Sequence, residues 1–236
     1  DLSTPRQRLL ASQFDSQAAF SLRLQTATLR DSLDSSGLRG LLGTRTALLP
    51  HQLYIANEVG RRHAPRVLLA DEVGLGKTIE AGMILHRQLL TGSARRVLVL
   101  VPDALQFQWL VEMRRRFNLA FALFDEERLA ADVDGNAFDS EQLVLCPTGL
   151  FTTEAARQLA LASRWDLVVV DEAHRLSRGE AGDETREDDL PAFLEALATH
   201  SPALLLLTAT PERVGQEAHF ERLALLDPDR FHDFER

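Results

Sequence analysis

Residues 67–78 read Val-Leu-Leu-Ala-Asp-Glu-Val-Gly-Leu-Gly-Lys-Thr, an apolar run that breaks into a glycine-bearing turn ending in lysine and threonine. The apolar residues 67–70 fit a strand buried on both faces, and a helical pattern runs from Thr78 to Leu90. A strand, a glycine turn and a helix in that order make a phosphate loop. Glycines let backbone N–H groups curl around an anion, and the helix that follows points its positive end at the same place. On this reading Asp71, Glu72, Val73, Gly74, Leu75, Gly76, Lys77 and Thr78 hold a nucleotide. Lys77 reaches the β- and γ-phosphates, and the Thr78 hydroxyl ligates magnesium. The usual pattern opens on glycine, whereas Asp71 stands in that place here.

Composition supports Lys77 independently. Of the 26 basic residues, Lys77 is the only lysine and all the others are arginine. A slim ammonium on a flexible stem fits between phosphates under a tight loop, where a planar guanidinium does not. The 236 residues bound the chain to one large domain or one domain with a small appendage. No apolar run approaches the ~18 residues that a membrane span needs. The chain begins at Asp1 rather than Met, so it reads as a piece of something longer. The lone Cys146 excludes an internal disulfide framework and fits a reducing, cytoplasmic setting. No spaced Cys/His cluster of the zinc type is present. A net charge of −9 argues against a grip on nucleic acid by bulk electrostatics, although arginines cluster at 61–62, 95–96 and 114–116.

Outward from the phosphate loop, short apolar runs at 97–101, 121–124, 143–146, 167–170 and 204–207 alternate with helical patterns. Those patterns cover 78–90, 104–117, 149–162, 190–199 and 216–226. Strands apolar on both faces and alternating with helices predict an α/β fold, a parallel sheet covered on both sides. Ligands in such sheets bind beyond the carboxyl ends of the strands. The unusual residues collect there: Asp71 after one strand, Asp171 after another, Thr208-Ala209-Thr210 after a third. Residues 1–49 differ. Phe20, Leu22, Leu24 and Thr26 alternate like a strand, and Gly37, Gly40 and Gly43 break regular structure. Residues 1–37 are therefore expected to be the end of a preceding domain with a linker, and residues 38–236 the main domain. The acidic stretch 179–189 reads as a mobile surface loop.

Asp171 and Glu172 form the second constellation. Paired acids at the end of a buried strand are costly without a cation or solvent. Magnesium held by Asp171, with Glu172 deprotonating the attacking water, accounts for both. Gln52, in Pro50-His51-Gln52, offers a donor and an acceptor that match the edge of adenine, but equally suits a helix-start surface position. Trp109 and Phe107 read as core rather than as base-stacking platforms. Thr208 and Thr210 suit either a helix cap or a relay between nucleotide and substrate.

Together these pieces resemble the first RecA-like lobe of superfamily-two helicases, more narrowly the Swi/Snf-type translocases. DEVGLGKT at 71–78, PHQ at 50–52 and DEAH at 171–174 carry the likeness. The segments at 60–86, 108–125, 205–212 and 225–234 are similar to the bacterial, RNA-polymerase-associated branch of that family. The resemblance implies a P-loop NTPase lobe that uses ATP and Mg2+, with Gln52 on adenine, Lys77 and Thr78 on phosphate and metal, and Asp171 and Glu172 activating water. It implies that His174, Thr208 and Thr210 couple hydrolysis to the track, and that Gln108, Trp109 and Thr148 touch the DNA backbone. It further implies double-stranded DNA, RNA polymerase core enzyme and a second RecA-like lobe of the same protein as partners, with recycling of polymerase as the task. Only 26 residues follow Thr210, too few for that second lobe, so the chain is expected to be half a motor and almost inactive alone. A non-motor nucleotide switch and a motor for DNA repair or remodelling are the alternatives the residues leave open.

The arginine-saturated composition makes one direct prediction. Lys77→Arg in the intact protein should be as severely impaired in ATP turnover as Lys77→Ala, because charge alone does not satisfy the loop. Near-normal nucleotide affinity and turnover in Lys77→Arg would refute the steric argument.

Overall fold

The computed structural model describes residues 4–12, 16–36, 41, 44–47, 49–70, 76–131, 135–173, 189–208 and 215–231. Gly37, Gly40, Gly43 and the acidic stretch up to residue 188 lie outside these. The chain divides into two compact units, Asp1–Arg39 and Gly40–Arg236.

The first unit corrects the sequence reading. Residues 20–26 belong not to a strand but to a long helix, α2 (Gln17–Ser35), which follows the short α1 (Pro5–Leu10). The alternation was ambiguous because Phe20 and Leu24 also stand four apart, one helical turn. Threonines that suit a strand are accommodated by back-bonding: Thr26 Oγ1 donates to the Leu22 carbonyl at 2.8 Å and Thr28 Oγ1 to Leu24 at 2.9 Å. Phe20, Leu22, Leu24 and Leu29 are all exposed.

The second unit is the α/β fold that the alternation predicts. Its elements run α3 (Pro50–Gly60), β1 (Arg66–Ala70), α4 (Lys77–Thr91), β2 (Val97–Val101), α5 (Gln106–Phe117), β3 (Ala122–Leu123), α6 (Glu126–Ala131), β4 (Leu143–Pro147), α7 (Glu154–Ala162), β5 (Leu167–Val170), α8 (Asp189–His200), β6 (Ala203–Thr208) and α9 (Gly215–Leu226). Six strands form one sheet in the order β1-β6-β5-β2-β4-β3, and every pairing is parallel. Every residue of β2, β5 and β6 is buried. Successive residues serve opposite faces. Val97, Val99 and Val101 pack with Leu205, Leu207 and side chains of α3, α4 and α5, while Leu98 and Leu100 join Val168, Val170 and Leu206 in the core under α7 and α8. Close approach of α4 and α5 requires glycine once, since a Cβ at Gly82 would strike the Phe117 ring.

Two helices described in the second unit are additional to those the periodicity predicts. α6 spans only six residues, and α3 buries Gln52, Ala56, Val59 and Gly60, a set too small and polar to show as an apolar stripe. Among the described residues, no helix is long and apolar enough to cross a membrane.

The amino edge of the sheet is held by a guanidinium. Arg66 opens β1 and donates to four carbonyls: Leu225 (2.6 Å) and Leu226 (2.8 Å) at the end of α9, Ala198 (2.9 Å) in the last turn of α8, and Ser201 (2.8 Å) just beyond it. Helix C-termini leave carbonyls unsatisfied and carry partial negative charge, so one cation between two of them answers both. Burial lowers the Arg66 pKa, with the Asp227 charge opposing. Arg66→Ala is expected to destabilise the protein by about 2–4 kcal/mol, since hydrogen bonds to a charged group contribute ~1.5–3 kcal/mol each and do not add. Arg66→Lys keeps the charge but not the fork and should recover less than half of that loss. Urea denaturation of the three proteins measures both.

Candidate nucleotide site

Parallel register brings three strand ends side by side. Ala70, the last residue of β1, pairs with Thr208 of β6, and Leu206 of β6 pairs with Val170 of β5. The phosphate-loop stretch that leaves β1 and the acid pair that leaves β5 therefore flank the end of β6, with strands spaced ~4.8 Å apart. Asp71, Glu72, Val73, Gly74 and Leu75 lie outside the described residues, as do His174, Ala209 and Thr210.

At the far side of the loop the chain re-enters as Gly76, in the left-handed region at φ 90°. Its carbonyl opens α4 by accepting from the N–H groups of Ile79 (2.8 Å) and Glu80 (3.1 Å). Lys77 and Thr78 follow in the first turn, both half-buried. The positive end of α4 thus lies where a phosphate would sit. Glu80, fully buried in the same turn, is a residue the sequence reading passed over. An acid at that helix position is favoured by the dipole, which was the available signal. Gln52 reaches this turn from α3. It is 3% exposed, and a Cβ on Gly76 would stand 2.5 Å from its Nε2. The carboxamide is thus tucked against the last glycine of the loop and is not a surface helix-start residue.

Across β6, Asp171 is the first residue beyond β5, and its N–H donates to Leu100 of β2 at 2.9 Å. Its side chain is 6% exposed. Oδ1 accepts from the Glu172 backbone N–H at 2.9 Å, and Oδ2 accepts from the Trp109 indole N–H at 2.7 Å. Burial raises the Asp171 pKa above the ordinary carboxylate value. The two hydrogen bonds and the positive charge of Lys77 oppose that rise, and the Glu172 charge adds to it. Glu172 sits at φ 53°, a left-handed conformation that costs a non-glycine residue ~1–2 kcal/mol and that collects at functional sites. Between loop and acids, Thr208 is 1% exposed, and its Oγ1 has no hydrogen-bond partner among the described residues.

The donor set suits magnesium. Asp171 and Thr78 offer hard oxygens, and no group of three or more His, Cys, Asp or Glu side chains among the described residues could hold a metal unaided. An ion shared between one or two protein oxygens and nucleotide phosphates is the magnesium pattern.

The track-facing expectations divide. Trp109 was expected at the DNA backbone by resemblance, and the structure corrects this. At 1% exposure it lies in the core with Met113 and Phe117, one helical turn apart on α5, and its polar atom serves Asp171. Phe107, read as core, is instead 65% exposed. Gln108 beside it is exposed, and Thr148 is half-buried at the start of the 3-10 turn Thr148–Thr152 after β4. Asp103 joins the turns after β2 and β4 by accepting from the Gly149 N–H at 3.4 Å.

The family described as "Type III restriction enzyme, res subunit" matches residues 45–213. The chain belongs to that family. It is 55% identical over 98% of its length to the RNA polymerase-associated protein RapA of Vibrio parahaemolyticus. It is 56% identical over 98% of its length to the RapA of Pectobacterium atrosepticum. In each case it spans 24% of the relative, about a quarter of those proteins. Among solved structures, the Sulfolobus solfataricus SWI2/SNF2 ATPase core in complex with dsDNA has the same fold over 81% of this chain and 39% of its own, at TM-score 0.66 and 18% identity. The Pyrococcus furiosus Hef helicase domain matches 75% of this chain and 35% of its own, at TM-score 0.56 and 23% identity. The fold is that of a RecA-like helicase lobe.

Gly76 provides the test of this geometry. Gly76→Ala should lower nucleotide affinity at least ~10-fold and cost about 1–3 kcal/mol of stability, from the left-handed φ and the Gln52 contact together. Adding Gln52→Ala should return only the part of the stability due to the contact, measured by calorimetric titration and denaturation side by side.

Proposed function

We propose that this chain is the ATP-binding lobe of an ATP-dependent DNA translocase that works with RNA polymerase. The carrying observation is the convergence of Lys77, Asp171 and Glu172 on one sheet edge, with the buried Thr208 hydroxyl between them. In this reading Asp71 to Lys77 wrap the triphosphate and Gln52 reads the adenine. Thr78 and Asp171 hold the Mg2+, which supplies charge neutralisation on the phosphate oxygens. Glu172 takes the proton from the attacking water, and its strained backbone sets the carboxylate apart from Asp171.

Thr208, Thr210 and His174 relay the state of the phosphate to the track. Gln108 and Thr148, on the turns after β2 and β4, meet the backbone of double-stranded DNA. The second RecA-like lobe completes the cleft and adds the arginines that this half does not supply. RNA polymerase as partner, with recycling of the core enzyme in the cytoplasm, is supported by the identity to the RapA proteins across nearly the whole chain.

The two acids should fail differently in the intact protein. Glu172→Gln should keep Mg2+-nucleotide binding and lose turnover by at least ~10²-fold, the scale of a lost general base. Asp171→Asn should weaken Mg2+-dependent binding as well. Duplex DNA should stimulate the wild-type ATPase, and an isolated 236-residue fragment should turn over near background, because a missing arginine finger alone costs ~10³–10⁵ in rate. Equal losses of nucleotide affinity in both variants, or robust DNA-stimulated turnover by the fragment, would overturn the assignment.

A further inference from the structure

Asp171 occupies a position with little freedom to choose its own orientation. It is buried at the mouth of a sheet whose neighbouring strands carry no charged residue, and each carboxylate oxygen takes a single N–H within the protein. One donor is local, the backbone of Glu172, and moves with the residue it serves. The other comes from a different element 62 positions earlier in the chain, the indole of Trp109 at 2.7 Å. Trp109 is itself immobilised. β2 ends at Val101, Pro102 and the turn Asp103–Leu105 redirect the chain, and α5 then lays Trp109, Met113 and Phe117 into the core. A buried indole N–H needs a partner, and here the partner is the acid assigned to the metal.

We propose that Trp109 is a positioning residue for magnesium: its indole N–H pins Oδ2 of Asp171, so that the carboxylate meets the nucleotide-bound cation in one preset orientation. This rests on the reading of Asp171 as the magnesium-holding acid. The Glu172 N–H alone leaves the Asp171 carboxylate free to rotate about its Cβ–Cγ bond. The indole closes that freedom and also places a hydrogen-bond donor beside an anion that is poorly solvated. Ligand-orienting partners of this kind carry ~10–100-fold in metal affinity or activity. Trp109 is 1% exposed and spends its one polar atom on Asp171. Its whole effect passes through Asp171.

The test separates the N–H from the ring. Trp109→Phe removes both the donor and part of the core volume, so it lowers stability as well. The decisive variant replaces Trp109 with 3-benzothienylalanine, an isostere in which sulfur stands where the N–H was. In the intact protein, binding of a non-hydrolysable ATP analogue is titrated against Mg2+, with thermal unfolding measured on the same samples. The half-saturating Mg2+ concentration should rise ~10–100-fold in the isostere while the melting temperature without nucleotide stays within a few degrees.

A second readout uses the protein's own light. Trp165 is the only other tryptophan among these 236 residues and lies on the opposite face of the sheet, edge-on to Phe138. A background in which Trp165 and any tryptophan elsewhere in the intact protein are replaced by Phe leaves Trp109 as sole emitter. Its fluorescence should respond to nucleotide with Mg2+ and not to nucleotide with EDTA. An isostere whose Mg2+ dependence stays within twofold of wild type would overturn the positioning role. Wild-type protein that binds the nucleotide with no dependence on Mg2+ would overturn the functional reading beneath it.

Discussion

A strand buried on both faces admits no charged side chain along its length, and this constraint organises the molecule. β2, β5 and β6 expose nothing, so an ionised group placed within them would carry a desolvation cost of several kcal/mol. Charge is displaced to the two rims of the sheet, and the rims are used differently. At the amino rim, charge is structural. Arg66 gathers helix ends, and Asp166 accepts from the N–H groups of Arg95 (2.7 Å) and Arg96 (2.9 Å) before β5 begins. At the carboxyl rim it gathers at the candidate nucleotide site. There Asp171 stands half inside the core, raised in pKa by burial and drawn back by two N–H donors and Lys77.

This division explains what was legible in the sequence. Both-face burial makes a strand a continuous apolar run, so five of the six strands were visible as words in the text and fell where predicted. The sixth, β3, shrank to Ala122–Leu123 at the edge of the sheet, paired only to β4. The candidate site residues stood out for the same reason, as polar residues abruptly following apolar runs. Information that depends on three dimensions was not. Nothing in the local spacing shows that Trp109 meets Asp171, or that Gln52 lies under Gly76. The helix α2 was misread because an alternating pattern and an i, i+4 pattern coincide over seven residues, and the deciding neighbour, a second strand, is not a property of the segment.

Arginine content shows a related limit. Clusters at 95–96 and 114–116 look alike as text, yet the structure sorts them. Arg96 pairs with Asp139 at 2.7 Å and lies 4.9 Å over the Trp165 ring, and Arg116 pairs with Glu112. The Arg96 bond holds the Asp139 carboxyl below its ordinary value. These cations are bound up in the protein's own carboxylates, which is how a chain with many arginines and a net charge of −9 remains unspecialised for bulk electrostatic binding.

Arg114 and Arg115 differ, since they stand exposed on α5 along with Phe107, Gln108 and Val111. The opposite side of that helix is Trp109, Met113 and Phe117, seated in the core, with the first of them bonded to Asp171. A helix three turns long is stiff on the scale of a hydrogen bond, so its two sides cannot shift independently. The exposed face and the 2.7 Å indole–carboxylate contact are therefore carried on one stiff body. A path from that surface to Asp171 needs no long relay in this fold. It needs one short helix with an exposed side and a buried tryptophan.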